Sequence, residues 1–254
     1  MAPRNSIELA VRRWSAWAPG LADASSWREW AAGERQIGGS EPPDVRFIEP
    51  MLRRRLSFFS RMAFRVAADC LDGDDPPPLC VFCSRYGDMV RSTEILKTLA
   101  ADEPPAPAAF SLSVHNTSAS LLSIARHDTA PWSALAGGEA TLETAFLEAW
   151  SLLRDGATVT VLLIYHDEQS PPPFDTQVTM VSHSAALALL LQLPETAPDR
   201  PVLGLEWRGD GRGNGRAVVD PSLEVLRLLL TNGKPIALDA GRLTWIWSTR
   251  AAPA

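Results

Sequence analysis

Residues 139–165 read EATLETAFLEAWSLLRDGATVTVLLIY, and this stretch decides the fold. Leu142, Ala145, Phe146, Ala149 and Leu153 recur at spacings of three and four, which predicts a helix over 139–154 with one apolar stripe. Gly156 is a natural stop for it. Thr158 to Tyr165 then forms an unbroken β-branched and apolar strand. A helix running directly into a buried strand is the alternation of an α/β domain.

The same alternation extends in both directions. Upstream, Trp132–Ala136 reads as a short strand ending in Gly137-Gly138, Thr117–Ala125 as a helix capped by Asn116, and Phe110–Val114 as a strand. Asp102–Ala109 is a Pro-rich link, and Ser92–Ala101 a helix begun by Ser92 or Thr93. Leu79–Ser84 is a buried strand after the Asp72–Pro78 turn. Pro50–Leu71 predicts one long helix, with Leu52, Leu56, Phe59, Ala63, Val66 and Cys70 on its stripe. Ile7–Trp14 is a strand broken at Pro19-Gly20, Gly38–Asp44 is a loop, and Trp14, Trp17, Trp27 and Trp30 suit packing of the N-terminal segment over the core. Downstream, Val178–Val181 and Val202–Trp207 are strands, Ser184–Leu193 fits strand or helix, and Gly209–Gly215 is a Gly-rich turn. Ser222–Leu229 is a helix and Leu243–Ser248 a closing strand. The expected architecture is a mixed, mostly parallel sheet with helices on both faces, in a single domain over 1–254 whose core spans about 7–250.

Composition narrows the function. With 24 Lys plus Arg against 30 Asp plus Glu, the net charge of −6 leaves no general field for nucleic acid. The longest apolar run, Ala185–Leu191, is too short to enter a bilayer, and residues 1–14 lack the pattern of a signal peptide. An odd cysteine count of three argues for a reducing compartment, so the expected location is cytoplasmic. Cys80 and Cys83 form a CxxC, but zinc needs two further ligands for which no matching spacing exists, so no metal or cofactor is expected. His166-Asp167-Glu168 ends a strand, where α/β enzymes place catalytic groups. No HExxH, Walker loop or GxSxG is present. Arg53, Arg54, Arg55, Arg61 and Arg65 form a basic cluster suited to an acidic partner.

Four segments, in order, resemble the β-ketoacyl synthases of the thiolase-like superfamily. Arg54-Arg55-Leu56-Ser57 is similar to their Arg-Arg-Met-Asp helix start, and Ser84-Arg85-Tyr86-Gly87-Asp88 to the Gly-rich turn that ends a strand. Ser113–Ala125 resembles their Pro-Asn-Met-Ala-Ala-Gly segment. Glu148–Gly156, followed by 158–165, resembles the helix after the nucleophile and the strand behind it. The resemblance is closer to the N-terminal-domain-like proteins of aryl polyene clusters, through Phe110–Asn116, Arg53–Ser57 and Ala136-Gly137-Gly138-Glu139.

That resemblance implies a non-catalytic chain-length factor in fatty-acid-like or polyketide biosynthesis. Its implied partners are a catalytic β-ketoacyl synthase, as a heterodimer, and an acyl carrier protein. Counting back from Arg154-x-Gly156 places Glu139 where the family has its nucleophilic Cys. A carboxylate suits a helix N-terminus but is a poor acyl carrier; one functional alternative is that it helps decarboxylate a malonyl group. After Gly156 only His166 and His183 remain, neither in the family's catalytic surroundings. The resemblance also assigns Asn116, Thr117, Ser120, Leu121 and Ile124 to a tunnel or partner interface, with Thr117, Leu121 and Ile124 on one face, and makes Arg53, Arg54, Arg61 and Arg65 a candidate carrier-docking surface. Two other readings stand beside it: an independent acyl-transfer or hydrolytic enzyme using Glu139 or His166/Asp167/Glu168, and a homodimeric scaffold.

Overall fold

The structure, a computed structural model, describes residues 5–71, 77–176, 183–209, 216–217, 220–240 and 242–252. The strands are β1 (Ser6–Trp17), β2 (Leu79–Cys83), β3 (Trp132–Leu135), β4 (Val161–Asp167), β5 (Ala185–Gln192), β6 (Val202–Arg208), β7 (Arg216–Ala217), β8 (Ile236–Ala240) and β9 (Leu243–Arg250). The helices are α1 (Ala24–Ala31), α2 (Pro50–Arg53), α3 (Phe58–Leu71), α4 (Met89–Ala100), α5 (Pro107–Ser111), α6 (Thr117–Arg126), α7 (Thr141–Arg154) and α8 (Pro221–Thr231). The described strands make one sheet in the order β3-β2-β4-β5-β1-β6-β9-β8-β7.

β4 shows why the sheet carries helices on both faces. It is buried at all seven positions. Because side chains alternate along a strand, Val161, Leu163 and Tyr165 enter the core beneath α7 and α8, while Leu162 and Ile164 enter the core beneath α3 and α6. The α7 stripe of Leu142, Ala145, Phe146, Ala149 and Leu153 is buried as its periodicity predicts. Phe146 alone, fully buried against the Trp247 ring at 4.9 Å, contributes about 1.5–3 kcal/mol of burial. The early tryptophans also pack: Trp27 donates its indole N–H to the Ala16 carbonyl at 2.8 Å and meets Trp30 edge-on.

The α/β class, the mixed sheet and the two helical layers agree with the sequence, but the proportion of parallel pairing does not. Parallel pairing is confined to β2 with β3, β2 with β4, and β7 with β8; the other five junctions are antiparallel. Only Gly241 and Arg242 separate β8 from β9 along the chain, which leaves no room for a crossover. β1, missed beyond Trp14 in the sequence reading, inserts between β5 and β6, antiparallel to both.

Several local expectations are corrected. The single helix over 50–71 is two, because the Ser57 hydroxyl accepts the Ser60 N–H at 3.2 Å and restarts the chain as an N-cap does. Phe110–Val114 is not a strand: Pro107 opens the short helix α5, which ends at Ser111. α4 begins before Ser92, capped by Asp88, whose carboxylate accepts the Arg91 N–H at 3.0 Å. Asn116 precedes α6 without a side-chain cap. The helix expected from Glu139 begins as one 3₁₀ turn, Gly138–Ala140, before α7. Ser184–Leu193 resolves as the strand β5. Val178–Val181 and most of the Gly209–Gly215 turn lie outside the described residues.

Candidate functional site

The carboxyl ends of β2, β3 and β4 lie side by side, because these three strands pair in parallel around β2. The loops leaving them carry nearly every chemically interesting side chain. In α/β sheets this edge is where ligands bind.

Alternation along β4 separates His166, Asp167 and Glu168, so the three do not form one catalytic cluster. Asp167 points to the α7/α8 side and is 4% exposed. It accepts the Ser84 hydroxyl at 2.6 Å, the Arg85 backbone N–H at 3.0 Å and the Tyr165 hydroxyl at 2.7 Å. Burial raises its pKa, while these donors and the Arg85 charge pull it down. Ser84 in turn accepts the Gly87 N–H at 2.8 Å, tying the turn closed. Gly87 is left-handed at φ +70°, with His115 packed over it.

His166 points to the opposite, α3/α6 side. Its Nε2 lies 3.3 Å from the Ser118 hydroxyl, which is 3.0 Å from that of Ser60, and the Phe59 ring packs on it at 4.2 Å. Burial, with His115 nearby, pushes its pKa down to about 3. At neutral pH it is therefore an uncharged core imidazole, and its Nδ1 has no hydrogen-bond partner. Glu168 turns to a third environment, beside Asp88 and the Val90 N–H at 3.4 Å.

Glu139 stands in the strand-to-helix turn between β3 and α7. Thr141 fixes this turn by accepting the Gly137 N–H at 2.9 Å and donating to the Gly138 carbonyl at 2.7 Å. A Cβ at Gly137 would lie 2.6 Å from the Thr144 hydroxyl, so a larger residue there would have to displace Thr144. The Glu139 carboxylate meets the Arg85 guanidinium at 3.5 Å; the acid side chain is 57% exposed and the arginine 6%. One turn into α7, Glu143 is buried and accepts the Trp247 indole N–H at 3.0 Å. Burial raises its pKa against the opposing pull of Trp247 and Arg85. Arg85 thus faces Glu139, Glu143 and Asp167. Sequence reasoning missed this arginine as a site residue; the signal was its place two residues past the end of β2.

The other expected site residues divide. Thr117 and Leu121 are buried in this chain's own core, whereas Asn116 and Ile124 are exposed and Ser120 half-buried. Thr117, Leu121 and Ile124 therefore do not share one outward face. In the basic cluster, Arg61 donates to the Leu56 carbonyl at 3.2 Å, Arg65 pairs with Asp69 at 3.0 Å, and Arg53 reaches the Arg46 carbonyl at 3.4 Å. Arg54 and Arg55 stand exposed at the turn between α2 and α3.

Cys80 and Cys83 lie on opposite faces of β2, one against each core, and cannot share a ligand. Burial pushes the Cys80 thiol up to about 12 and Cys83 well above its ordinary value. Among the described residues no group of three or more His, Cys, Asp and Glu side chains could hold a metal, and no helix is long and apolar enough to cross a membrane.

A parallel trio of strands, a glycine-bounded turn from β3 into the buried helix α7 and helices on both faces of the sheet frame this α/β site. The family model described as beta-ketoacyl synthase, N-terminal domain, matches residues 27–248, and the chain belongs to that family. No curated protein matches the sequence. Among solved structures, it is similar to a chain of "Ketosynthase (ApeO) in Complex with its Chain Length Factor (ApeC) from Xenorhabdus doucetiae", with 24% identity, a TM-score of 0.80, and coverage of 95% of this chain and 99% of that one. It is also similar to "The ishigamide ketosynthase/chain length factor", with 14% identity, a TM-score of 0.74, and coverage of 97% and 99%. A third is a type II PKS acyl-carrier protein in complex with its ketosynthase, AntDE:AntF, with 13% identity, a TM-score of 0.66, and coverage of 98% and 99%. At these identities the likeness establishes the fold.

Proposed function

We propose that this chain is a single-domain, cytoplasmic, non-catalytic chain-length factor that pairs with a catalytic β-ketoacyl synthase and helps shape the acyl tunnel of an aryl-polyene-type pathway. The observation that carries this reading is the Glu139–Arg85 pair at the turn into α7. Condensation needs a thiolate there to form a thioester. The chain's three cysteines lie elsewhere, at 70, 80 and 83. Glu139 is instead a carboxylate committed to a nearly buried guanidinium. Two of the similar structures are described as ketosynthase and chain length factor together.

In this reading the partner-facing surface is Asn116, just before α6, with the half-buried Ser120 and the exposed Ile124 of α6, spaced every four residues. Leu121 and Thr117 support it from inside. Arg54, exposed with Arg55 at the turn between α2 and α3, is the candidate contact to an acyl carrier protein.

The test is co-expression with a catalytic β-ketoacyl synthase of its own organism, together with an acyl carrier protein. A stoichiometric complex whose polyene length changes with Ser120→Phe supports the proposal. Carrier-dependent chain extension by this chain alone, or by its Glu139→Cys variant without a partner, refutes it. A symmetric homodimer that ignores the ketosynthase would favour the scaffold reading.

A further inference from the structure

α1 and α8 pack against one another over the sheet, and beside them opens a cleft of about 650 Å³, within the size range of small-molecule sites. Its apolar lining is Trp30 from α1, Ile37 from the loop that follows, Leu223 from α8, and Ile236 and Leu238 from β8. Ile37, Leu223 and Ile236 are only half-buried, so an apolar body laid on them would take their surface out of water. Neither Glu139, Arg85 nor any residue of α6 lines this cleft.

Two guanidiniums line it from different elements, Arg35 from the loop after α1 and Arg227 from α8. Arg227 lies over the Trp30 ring at 4.3 Å, a stacking contact that holds its plane in place. It stands 3.7 Å from Glu224, beyond hydrogen-bond length, and among the described residues its N–H groups meet no hydrogen-bond acceptor. Arg35 donates one N–H to Glu29 at 3.2 Å. The remaining acid of the cleft, Asp220, is turned to the start of α8. It accepts the Ser222 N–H at 3.1 Å, the Ser222 hydroxyl at 2.7 Å and the Leu223 N–H at 3.3 Å.

We propose that the cleft between α1 and α8 binds a small amphipathic anion, its apolar body lying on Trp30, Ile37, Leu223 and Ile236 and its headgroup shared by Arg35 and Arg227. A guanidinium presents five donors in one plane, so each arginine keeps its acid neighbour and still accommodates a second acceptor. Stacking on Trp30 fixes Arg227 before a ligand arrives, so less rotamer freedom is lost on binding. A carboxylate and a phosphate meet this requirement equally. The site uses none of the residues assigned to pairing with a ketosynthase, so it stands or falls independently of that reading.

Fluorescence titration of the full-length chain with cis-parinarate, a polyene carboxylate that emits when held out of water, tests this. Decanoate, decyl phosphate and decanol serve as competitors. The chain should bind one parinarate. Decanoate or decyl phosphate should displace it, the more effective of the two identifying the headgroup, while decanol should compete about tenfold more weakly for want of a charge. Arg35→Gln and Arg227→Gln should each weaken parinarate by about tenfold. Leu223→Trp fills the cleft from α8, and Gln36→Trp fills it from an exposed loop position where folding is not at stake; both should abolish binding while circular dichroism stays that of wild type. A wild-type chain that does not bind parinarate, decanol that competes as well as the anions, or affinity unchanged in both arginine variants or in both filling variants would overturn the proposal.

Discussion

Asp167→Ala tests whether the network beneath the candidate site is a structural keystone. The substitution removes one acceptor that three donors share: the Ser84 hydroxyl, the Tyr165 hydroxyl and the Arg85 N–H. Each is buried or nearly so, and an orphaned buried donor costs about 1–3 kcal/mol. Allowing the Ser84 hydroxyl to rotate toward another acceptor, the sum is about 3–6 kcal/mol, a large part of the about 5–15 kcal/mol by which a domain is stable. At this chain length that predicts a melting temperature lowered by about 6–24 °C. Tyr165→Phe strands no donor and leaves Asp167 two of its three, so it should cost about 1–2 kcal/mol. Urea unfolding at pH 7, followed by tryptophan fluorescence, measures both. If Asp167→Ala lies within 1 kcal/mol of wild type, on the same scale, the network does not hold the turn and the reasoning fails.

Leu121→Ala should destabilise by about 2–5 kcal/mol, as expected for a buried side chain of this chain's own core, whereas Ile124→Ser should leave chemical denaturation within about 0.5 kcal/mol of wild type. Cys70, Cys80 and Cys83 should resist iodoacetamide in the folded protein at pH 8 and react within minutes in urea, since Cys70 and Cys83 are buried and burial raises the Cys80 and Cys83 thiols; stoichiometric labelling of native protein would contradict their placement. His166 binds its proton only near pH 3 in the fold but near 6.5 in the unfolded chain, so its contribution is lost as pH falls through that window. Asp220 and Glu168, raised to about 6 and about 7, act in the opposite direction. The contribution of His166 is therefore read from the difference between wild type and His166→Asn, which should narrow from pH 6.5 to pH 3.

Strong periodicity made α7, α3 and β4 legible, because the side chains that bury them recur within each segment. What sequence reasoning lost were features set by neighbours distant in the chain. β8 went unread because Ile236–Ala240 is half-buried and short; it exists through its hairpin with β9. The balance of parallel and antiparallel pairing depends on where β1 inserts, which no local pattern records. Phe110–Val114 has strand-like composition but no strand to pair with, so Pro107 wins. At the site, Glu139, expected to open the helix, lies in the 3₁₀ turn before α7. Arg85 and Asp167 were invisible as a pair because 82 residues separate them. His166-Asp167-Glu168 misled for the reverse reason: three titratable residues in a row on and beyond a strand must point in different directions.

The Glu139–Arg85 pair also bears on the charge balance of the turn into α7. An ion pair with one half-exposed partner adds little stability by Coulomb attraction, about 0–1 kcal/mol. The relevant quantity is the burial of Arg85, because a guanidinium held away from water needs compensation. Of the acids around it, Glu143 and Asp167 have carboxyl pKa values raised by burial, and Asp167 is already engaged by three donors. Glu139, in the more solvated turn, is the acid that supplies negative charge at least desolvation cost. A cysteine there would offer a thiol in place of that carboxylate and leave Arg85 short of a counter-charge. In the proposed reading, the acid that stands where a nucleophile would be needed is the same one that neutralises the arginine beneath it.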